Sequence, residues 1–340
     1  MEKRILGSLA YAAMGDAMAA VTENLTFEQI RKRYDGGVTT FEKPSDTAFA
    51  LGNEPGQVTD DFSQIYLILK EVLASDKKSI STDNIKQAII KWSDMPVYFN
   101  RFAGPTTRSA IAMYKGESKE MKPLEGAVTV DYASKATNGA AMKIAPAGLL
   151  NPGDKDKAIR DAIVITRVTH DNHLAISGAS AVAAAVSESL KENVDFSAIL
   201  DAGVYGALEG ERLGKELSRT VAGPSVVERI KLAFDIADGK GTKEEKLLKF
   251  YQLIGTGLHV AEAVPCAFGI IKLNMNNPKQ AVLDAVNIGY DTDTIATIVG
   301  SIVGSMAEKN SDFYDMIKFI EEANQFEITR LAKEISIQKD

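Results

Sequence analysis

Cysteine and clustered positive charge are the two things this chain has least of. Its 340 residues contain one cysteine, Cys266, which excludes an internal disulfide framework and a zinc site built from several thiolates. The net charge is −7, and the Lys and Arg residues are scattered along the chain. A nucleic-acid groove or a patch for anionic membranes is therefore not expected, and small ligands are the expected partners.

Long apolar runs are also missing. The longest candidate, 294–307, has only fourteen uncharged residues, whereas a membrane helix needs about 20. The N-terminal stretch "MEKRILGSLAYAAMGDAMAA" resembles a secretory signal peptide, but Asp16 interrupts its small-residue region. A buried first helix accounts for the same sequence. We therefore expect a cytoplasmic protein that does not enter a membrane.

The pattern of apolar residues is helical along most of the chain. Phe62, Ile65 and Leu69 recur at helical spacing after Asp61, and strand signals are few. The sequence predicts one compact, all-α, multi-helix domain over residues 1–340. Predicted helices cover 157–168, 174–190, 198–215, 224–236, 243–253, 279–287, 294–307 and 312–335. The segment 115–137 is predicted to be a long connection that contains a short strand at 127–130.

Two pairs of aspartates stand in front of stretches that are apolar enough to be buried. Asp60 and Asp61 follow Thr59 in "VTDDFSQ", and Asp291 and Asp293 lie in "GYDTDTIATIVGS". Helix capping explains each pair taken alone, because acidic residues in a first turn complement the helix dipole. The residues alone leave this interpretation open.

A metal site explains the two pairs taken together. Each pair combines two carboxylates with a threonine hydroxyl, and crowded like charges at a buried helix start require a compensating cation. Ligand sets made only of oxygen suit Mg²⁺ or Mn²⁺. Two such stretches facing each other would suit a pair of ions about 3.5–4 Å apart.

Five blocks occur in order between about residues 5 and 305, and they read "GSLAYAAMGDAMAAVTE", "VTDDFSQ", "NGAAMKIAPAG", "THDNHLAISGA" and "GYDTDTIATIVGS". In this order they resemble the ADP-ribosylglycohydrolase family, of the dinitrogenase reductase-activating glycohydrolase type. The resemblance implies an all-α bundle with a central binuclear Mg²⁺ or Mn²⁺ site. It also implies a glycosidase that hydrolyses N- or O-glycosidic bonds to ADP-ribose.

The same resemblance implies roles for particular residues. The implied ligands of the two ions are Thr59, Asp60, Asp61, Asp291, Asp293 and Thr294. How they divide between the ions is not readable from the sequence. Asp61 and Glu23 are the candidates for the base or charge stabiliser that catalyses the reaction, although Glu23 also suits an ordinary loop or cap carboxylate. Asp16 is expected to support the site.

The resemblance also implies contacts with the substrate. Asn138, Gly139 and Ala140 belong to the block that shapes the pocket wall, and His170 is either near the ribose or phosphate or an ordinary histidine at a helix start. His173 and His259 are assigned to structure. Thr106, Thr107 and Arg108 mark a helix start that suits either a phosphate or an ordinary cap.

Three residues of this chain differ from the usual residues of the family, and the differences bear on which substrate is bound. Tyr290 stands where relatives usually have glycine, Phe62 where a hydroxyl residue is usual, and Lys143 where arginine is common. An aromatic ring at 290 is expected to stack on a base or narrow the pocket. The expected substrate is thus an ADP-ribosylated protein, a small ADP-ribose derivative or a nucleoside-like riboside. Two other readings are a non-catalytic structural or ligand-sensing protein and a Mg²⁺-dependent pyrophosphate hydrolase.

Overall fold

The computed structural model describes residues 1–45, 48, 50–117 and 131–338. Within those ranges the regular structure is helical and no β-strand occurs, so the all-α prediction is confirmed. The α-helices are α1 Glu2–Ala19, α2 Phe27–Arg33, α3 Asp60–Ala74, α4 Thr82–Ser93, α5 Pro96–Phe102, α6 Pro105–Tyr114, α7 Ala145–Leu149, α8 Lys155–Thr169, α9 His173–Ser189, α10 Phe196–Leu217, α11 Val226–Asp238, α12 Lys243–Lys249, α13 Val260–Leu273, α14 Pro278–Val286, α15 Thr292–Val303, α16 Ser311–Asn324 and α17 Ile328–Ile337.

Short helical turns complete the described part of the chain. Three are 3₁₀ turns, Ala133–Lys135, Asn138–Ala140 and Gly304–Met306, and a π turn at Phe250–Ile254 follows α12. The stretch 312–335, predicted as one helix, is two helices because Gln325 adopts a left-handed conformation with φ +55° and ends α16. The strand predicted at 127–130 lies outside the described residues.

Glycines let α1 and α15 approach each other backbone to backbone. A Cβ atom on Gly300 would stand 2.2 Å from the carbonyl oxygen of Tyr11, and one on Gly304 would stand 2.2 Å from that of Gly7. At the other end of α1, a Cβ on Gly15 would lie 2.5 Å from the carbonyl oxygen of Ala296. This backbone contact places Asp16 beside the start of α15.

The helix α9 lies inside the core. All 17 of its residues are buried, and its small side chains pack closely against α10. A Cβ on Gly206 of α10 would stand 2.3 Å from the carbonyl oxygen of Ser180. The described helices do not include one that is both long and apolar enough to span a bilayer.

Substitution of Gly300 by alanine should destabilise the protein, because the added methyl group meets the backbone of α1 rather than a movable side chain. Overpacking of this kind costs about 1–3 kcal/mol of unfolding free energy. Urea denaturation followed by circular dichroism measures it. Ser301→Ala on the same helix is the control, since it only removes a buried hydroxyl for which the described part of the chain offers no hydrogen-bond partner. Equal stability of the two variants would contradict the close approach.

Candidate metal centre

A buried aspartate on α1 fixes the start of α3. The carboxylate of Asp16 accepts a hydrogen bond from the backbone N–H of Thr59 and another from that of Phe62, each at 2.9 Å. Helix starts leave such N–H groups without partners inside the helix. Because Asp16 satisfies them, Asp60 and Asp61 are not needed as caps, and the supporting role expected for Asp16 is what its contacts provide.

The two aspartates of the second pair differ in their contacts with α15, because the carboxylate of Asp293 accepts from the backbone N–H of Thr294 in the first turn. Asp291 is the residue before α15, yet its side chain makes no capping hydrogen bond to that helix. Its carboxylate accepts instead from the side-chain amide of Asn138. The hydroxyl of Thr59 lies 3.3 Å from Oδ2 of Asp293 and 3.5 Å from Oδ2 of Asp61, which ties the starts of α3 and α15 together.

The carboxylates converge in two groups that share one member. Glu23, Asp291 and Asp293 form one group, and Asp60, Asp61 and Asp293 form the other, with ligand atoms in each group lying within 4.8 Å of one another. One buried carboxylate oxygen on each of Glu23, Asp61 and Asp293 has no hydrogen-bond partner among the described residues. Converging oxygen atoms without protein donors are the arrangement that divalent cations require.

The pKa values of the same carboxyl groups are raised. Burial, and then the neighbouring charge of Asp293, raise the pKa of Glu23, Asp60, Asp61 and Asp291 well above the usual values for carboxyl groups. The causes of the raised pKa are desolvation and like-charge repulsion, both of which a bound cation relieves. The donor chemistry, the unpartnered oxygens and the raised pKa values all fit a pair of divalent cations.

Lys143 is the buried cation of this region. Its side chain is fully buried, and its ammonium group donates to Oε1 of Gln64 at 3.0 Å. Burial lowers its pKa to about 8, against the opposing influence of Asp60 and Asp61. One ammonium group would offset only part of the charge of five ionised carboxylates, so the remaining charge has to be relieved by protons or by bound cations.

A cavity of about 270 Å³ opens onto the acidic groups. Among the described residues, its wall includes the carboxylates of both groups, Thr294, Asn138, Gly139 and His170. A cavity of this size is near the lower end of small-molecule sites. The structure therefore brings most of the residues singled out in the sequence to one place, with Thr59 and Ala140 buried behind the wall.

Hydroxyl groups hold the ring of His170 on the cavity wall. Its Nε2 is 2.9 Å from the hydroxyl of Thr137, and its Nδ1 is 2.7 Å from that of Thr169. Burial, and then the charge of Lys143, lower the pKa of His170 well below its usual value, so the ring is neutral at pH 7. A Cβ on Gly139 would lie 3.0 Å from this ring, which is why glycine suits that position.

Tyr290 is placed differently from the other predicted substrate contacts. Its side chain is 44% exposed and lies over Gly257, where an added Cβ would stand 2.6 Å from the Tyr290 ring. Tyr290 is not among the described residues that line the cavity. Its backbone has φ +66°, an unfavourable conformation for a tyrosine. Its N–H donates to the carbonyl of Leu25, and its carbonyl accepts from Asn24, each at 2.8 Å. Tyr290 thus fastens the loop that carries Glu23.

The remaining histidines contact backbone. A ring nitrogen of His173 accepts from the N–H of Val221, and Nδ1 of His259 accepts from that of Ala261. These contacts agree with the structural roles assigned to both. Sequence reasoning missed several residues of the wall, namely Arg101, Phe102, Met142 and Leu258, because neither spacing nor chemistry marks them in the sequence.

Without a cation, the protein should lose stability as the pH rises. Burial and the charge of Asp293 raise the pKa of Asp16 to about 7, and in the unfolded chain a carboxyl group ionises near pH ~4. Between pH ~4 and the raised pKa of Asp16, the folded state binds more protons than the unfolded state, so the stability of the folded state falls as the pH increases. Calorimetry in EDTA should give a higher Tm at pH 5 than at pH 8, and Mn²⁺ should reverse the order.

Variants identify the source of this pH dependence. Asp293→Asn should flatten the profile in EDTA, because Asp293 contributes to the raised pKa of its neighbours. Asp235→Asn, which changes an exposed carboxylate on α11, should leave the profile unchanged. A Tm in EDTA that is constant or rises between pH 5 and 8 would contradict the electrostatic account.

Comparison with known proteins agrees with this geometry. The ADP-ribosylglycohydrolase family model matches residues 1–334. The uncharacterized protein YegU of Escherichia coli (strain K12) is 30% identical over 336 residues, which cover 97% of this chain and 95% of that protein. The ADP-ribosyl-[dinitrogen reductase] glycohydrolase of Rhodospirillum rubrum is 30% identical over 173 residues, covering 50% of this chain and 52% of that enzyme.

A solved structure shares the fold. It is described as an ADP-ribosylglycohydrolase-related protein complex, and it matches with a TM-score of 0.68 and 19% identity over 100% of this chain and 99% of that chain. The family model spans nearly the whole sequence, and the helical architecture agrees with it. This chain belongs to the ADP-ribosylglycohydrolase family.

Proposed function

We propose that the protein is a hydrolase that depends on two Mg²⁺ or Mn²⁺ ions and cleaves the glycosidic bond at C1′ of a ribose. The observation that carries the proposal is the pair of carboxylate groups beside a cavity, which share Asp293 and contain buried oxygens without a hydrogen-bond partner among the described residues. Membership of a glycohydrolase family supports the reaction class.

The division of ligands follows from the two groups. Glu23, Asp291 and Asp293 would hold one cation, and Asp60, Asp61 and Asp293 would hold the other. The hydroxyls of Thr59 and Thr294 are further oxygen donors at the same two helix starts. When bound, the cations would offset the buried negative charge and act as Lewis acids toward oxygen atoms of the ligand.

The residues of this chain supply the proton transfers. Asp61 or Glu23 accepts a proton from the attacking water while the water oxygen forms a bond to C1′ and the bond from C1′ to the leaving group breaks. The proton then passes to the leaving group. Burial, and then the charge of Asp293, raise the pKa of both carboxyl groups, and bound cations would lower it again by offsetting that charge, which leaves an ionised carboxylate that can accept the proton. Nearby carboxylates stabilise the positive charge that develops on the sugar.

The cavity has room for a ribose and the groups next to it. About 270 Å³ is bounded by described residues, with Asn138, Gly139 and His170 on the wall and Ala140 packed behind it. These residues would contact the ribose and the groups attached to it, and the neutral ring of His170 would not compete with the cations for the carboxylates. The proposed substrates are ADP-ribosyl groups on a protein or small molecule, and smaller ribosides.

A panel of substrates tests the reaction class. Protein loaded with Mn²⁺ is incubated with ADP-ribosyl-arginine, ADP-ribosyl-serine, nucleosides and nucleoside diphosphates, and the products are identified by mass spectrometry. A ribosyl product and a free leaving group are expected. Release of phosphate instead would identify a pyrophosphate hydrolase, and no product despite bound Mn²⁺ would favour a ligand-sensing protein.

Asp61→Asn should lower turnover by at least ~100-fold, because it removes both a cation ligand and a proton acceptor. Circular dichroism checks that the helical fold is retained. Asp156→Asn changes an exposed carboxylate on α8 and serves as the matched control. Near-normal turnover of Asp61→Asn with saturating Mn²⁺ would remove Asp61 from the mechanism.

Tyr290 is proposed as a contact for leaving groups that extend out of the cavity, because its exposed ring lies next to Asp291 but outside the described wall. Tyr290→Ala should raise KM for substrates with a large aromatic or peptide leaving group, since ring stacking contributes about 1–3 kcal/mol. KM for a compact nucleoside should change little, and Tyr290→Phe should behave as the native protein. An equal rise in KM for both substrate sizes would place the ring inside the site.

A further inference from the structure

A second cavity is bounded by the face of α1 that points away from the metal centre. Met14 and Met18 follow Tyr11 at helical spacing and line this cavity with it, whereas Asp16 lies on the opposite face of the same helix. The cavity has a volume of about 490 Å³, within the range of roughly 300–1,000 Å³ that small-molecule sites occupy. None of the described residues lines both cavities, so the second is a separate candidate for a binding site.

Methionine and aromatic side chains supply the apolar part of this cavity. Among the described residues, its lining includes Met14, Met18, Met306, Met316, Phe41 and Phe313. Thioether groups are polarizable, make favourable contacts with aromatic rings and adapt to ligands of irregular shape. A wall of this composition suits a flat aromatic ligand better than it suits a sugar or a phosphate.

The hydroxyl group of Tyr11 indicates that the ligand also has a polar group. Tyr11 is only 8% exposed, and its hydroxyl makes no hydrogen bond within the described part of the chain, although the residue lines the cavity. Its position is fixed, because a Cβ on Gly304 would stand 2.7 Å from the Cβ of Tyr11, and the ring of Phe313 lies 6.2 Å away. Burial, and then the charge of Glu308, raise the pKa of Tyr11, so the hydroxyl keeps its proton and is a donor. Buried polar groups are nearly always paired in native proteins, and a ligand acceptor is the natural partner here.

The charged residues at the rim do not select a charged ligand. Lys279 lies at the start of α14, Glu308 and Asp312 lie around the start of α16, and all three are exposed. The ammonium group of Lys309 donates to backbone carbonyls of the turn 304–307. Because the rim carries both signs and the interior is apolar, burial of a net charge on the ligand would be unfavourable. An uncharged ligand is therefore favoured.

We propose that this cavity binds a flat, uncharged aromatic molecule that carries a hydrogen-bond acceptor, such as a carboxamide oxygen, for the hydroxyl of Tyr11. The aromatic ring would lie among the thioether groups of the four methionines that line the cavity. The site does not depend on the reaction proposed for the metal centre, since the two cavities share none of the described residues.

NMR of isotope-labelled methionine methyl groups locates the ligand, with signals assigned by single Met→Leu substitutions. The protein is titrated with indole-3-carboxamide, indole and cyclohexanecarboxamide. The ring current of bound indole-3-carboxamide should shift the signals of the four methionines of this cavity and leave that of Met142, which lines the metal-centre cavity, unchanged. Indole-3-carboxamide should bind about 5-fold more tightly than indole, which lacks the acceptor. It should also bind about 5-fold more tightly than cyclohexanecarboxamide, which lacks the aromatic contact with sulfur.

Tyr11→Phe tests the hydrogen bond while it keeps the ring that packs against Phe313. It should weaken binding of indole-3-carboxamide by about 5-fold, as expected for a neutral hydrogen bond, and leave the affinity for indole unchanged. Tyr314→Phe is the matched control, because Tyr314 is an exposed residue of α16 that is not among the described residues lining the cavity. It should change neither affinity.

Each outcome has a defined meaning. Shifts of the four methionine signals, together with a preference for the carboxamide that is lost in Tyr11→Phe, support the site. No shift with any of the three compounds at millimolar concentration, or a shift of Met142 instead, overturns it. Equal affinity for cyclohexanecarboxamide overturns the aromatic class, and an unchanged preference in Tyr11→Phe overturns the role of the hydroxyl. All of these results are obtained without hydrolysis, so they are distinguishable from failure of the proposed function.

Discussion

Repulsion among carboxylates that share one partly buried wall is the constraint on which the rest of the structure depends. Asp293 belongs to both acidic groups, and its charge contributes to the raised pKa of each of its acidic neighbours. The buried ammonium group of Lys143 offsets only part of this charge. The fold therefore holds an unfavourable charge distribution in place, which is what a site for strongly charged ligands requires.

The packing around the site provides the rigidity that this repulsion demands. Gly7, Gly300 and Gly304 bring α1 and α15 into backbone contact, so the aspartates at the ends of these helices cannot move apart without separating the helices. Asp16 then fixes the start of α3 through two backbone N–H groups. The glycines between α1 and α15 and the carboxylate of Asp16 thus both hold the helix starts that carry the acidic groups in fixed positions.

Much of the fold was predictable because helical periodicity and small-residue spacing are local properties of the sequence. The helices around the aspartate pairs follow from the apolar positions after Asp61 and Asp293. The prediction of one continuous helix over 312–335 was wrong, because the local sequence does not reveal that Gln325 adopts a left-handed conformation. The capping explanation could not be decided from sequence either, because it depends on Asp16 and Asn138, which are distant in the chain.

The sequence by itself determined the all-α class, the family and the identity of the acidic residues, because these depend on residue types and their order. Only the tertiary structure decided that Asp293 belongs to both acidic groups, that Tyr290 lies outside the described cavity wall, and that Thr107 and Arg101 share that wall with the carboxylates. The physical reason is that convergence of side chains from α1, α3, α6 and α15 is a property of helix packing. No local pattern in the chain records which helix starts will face one another.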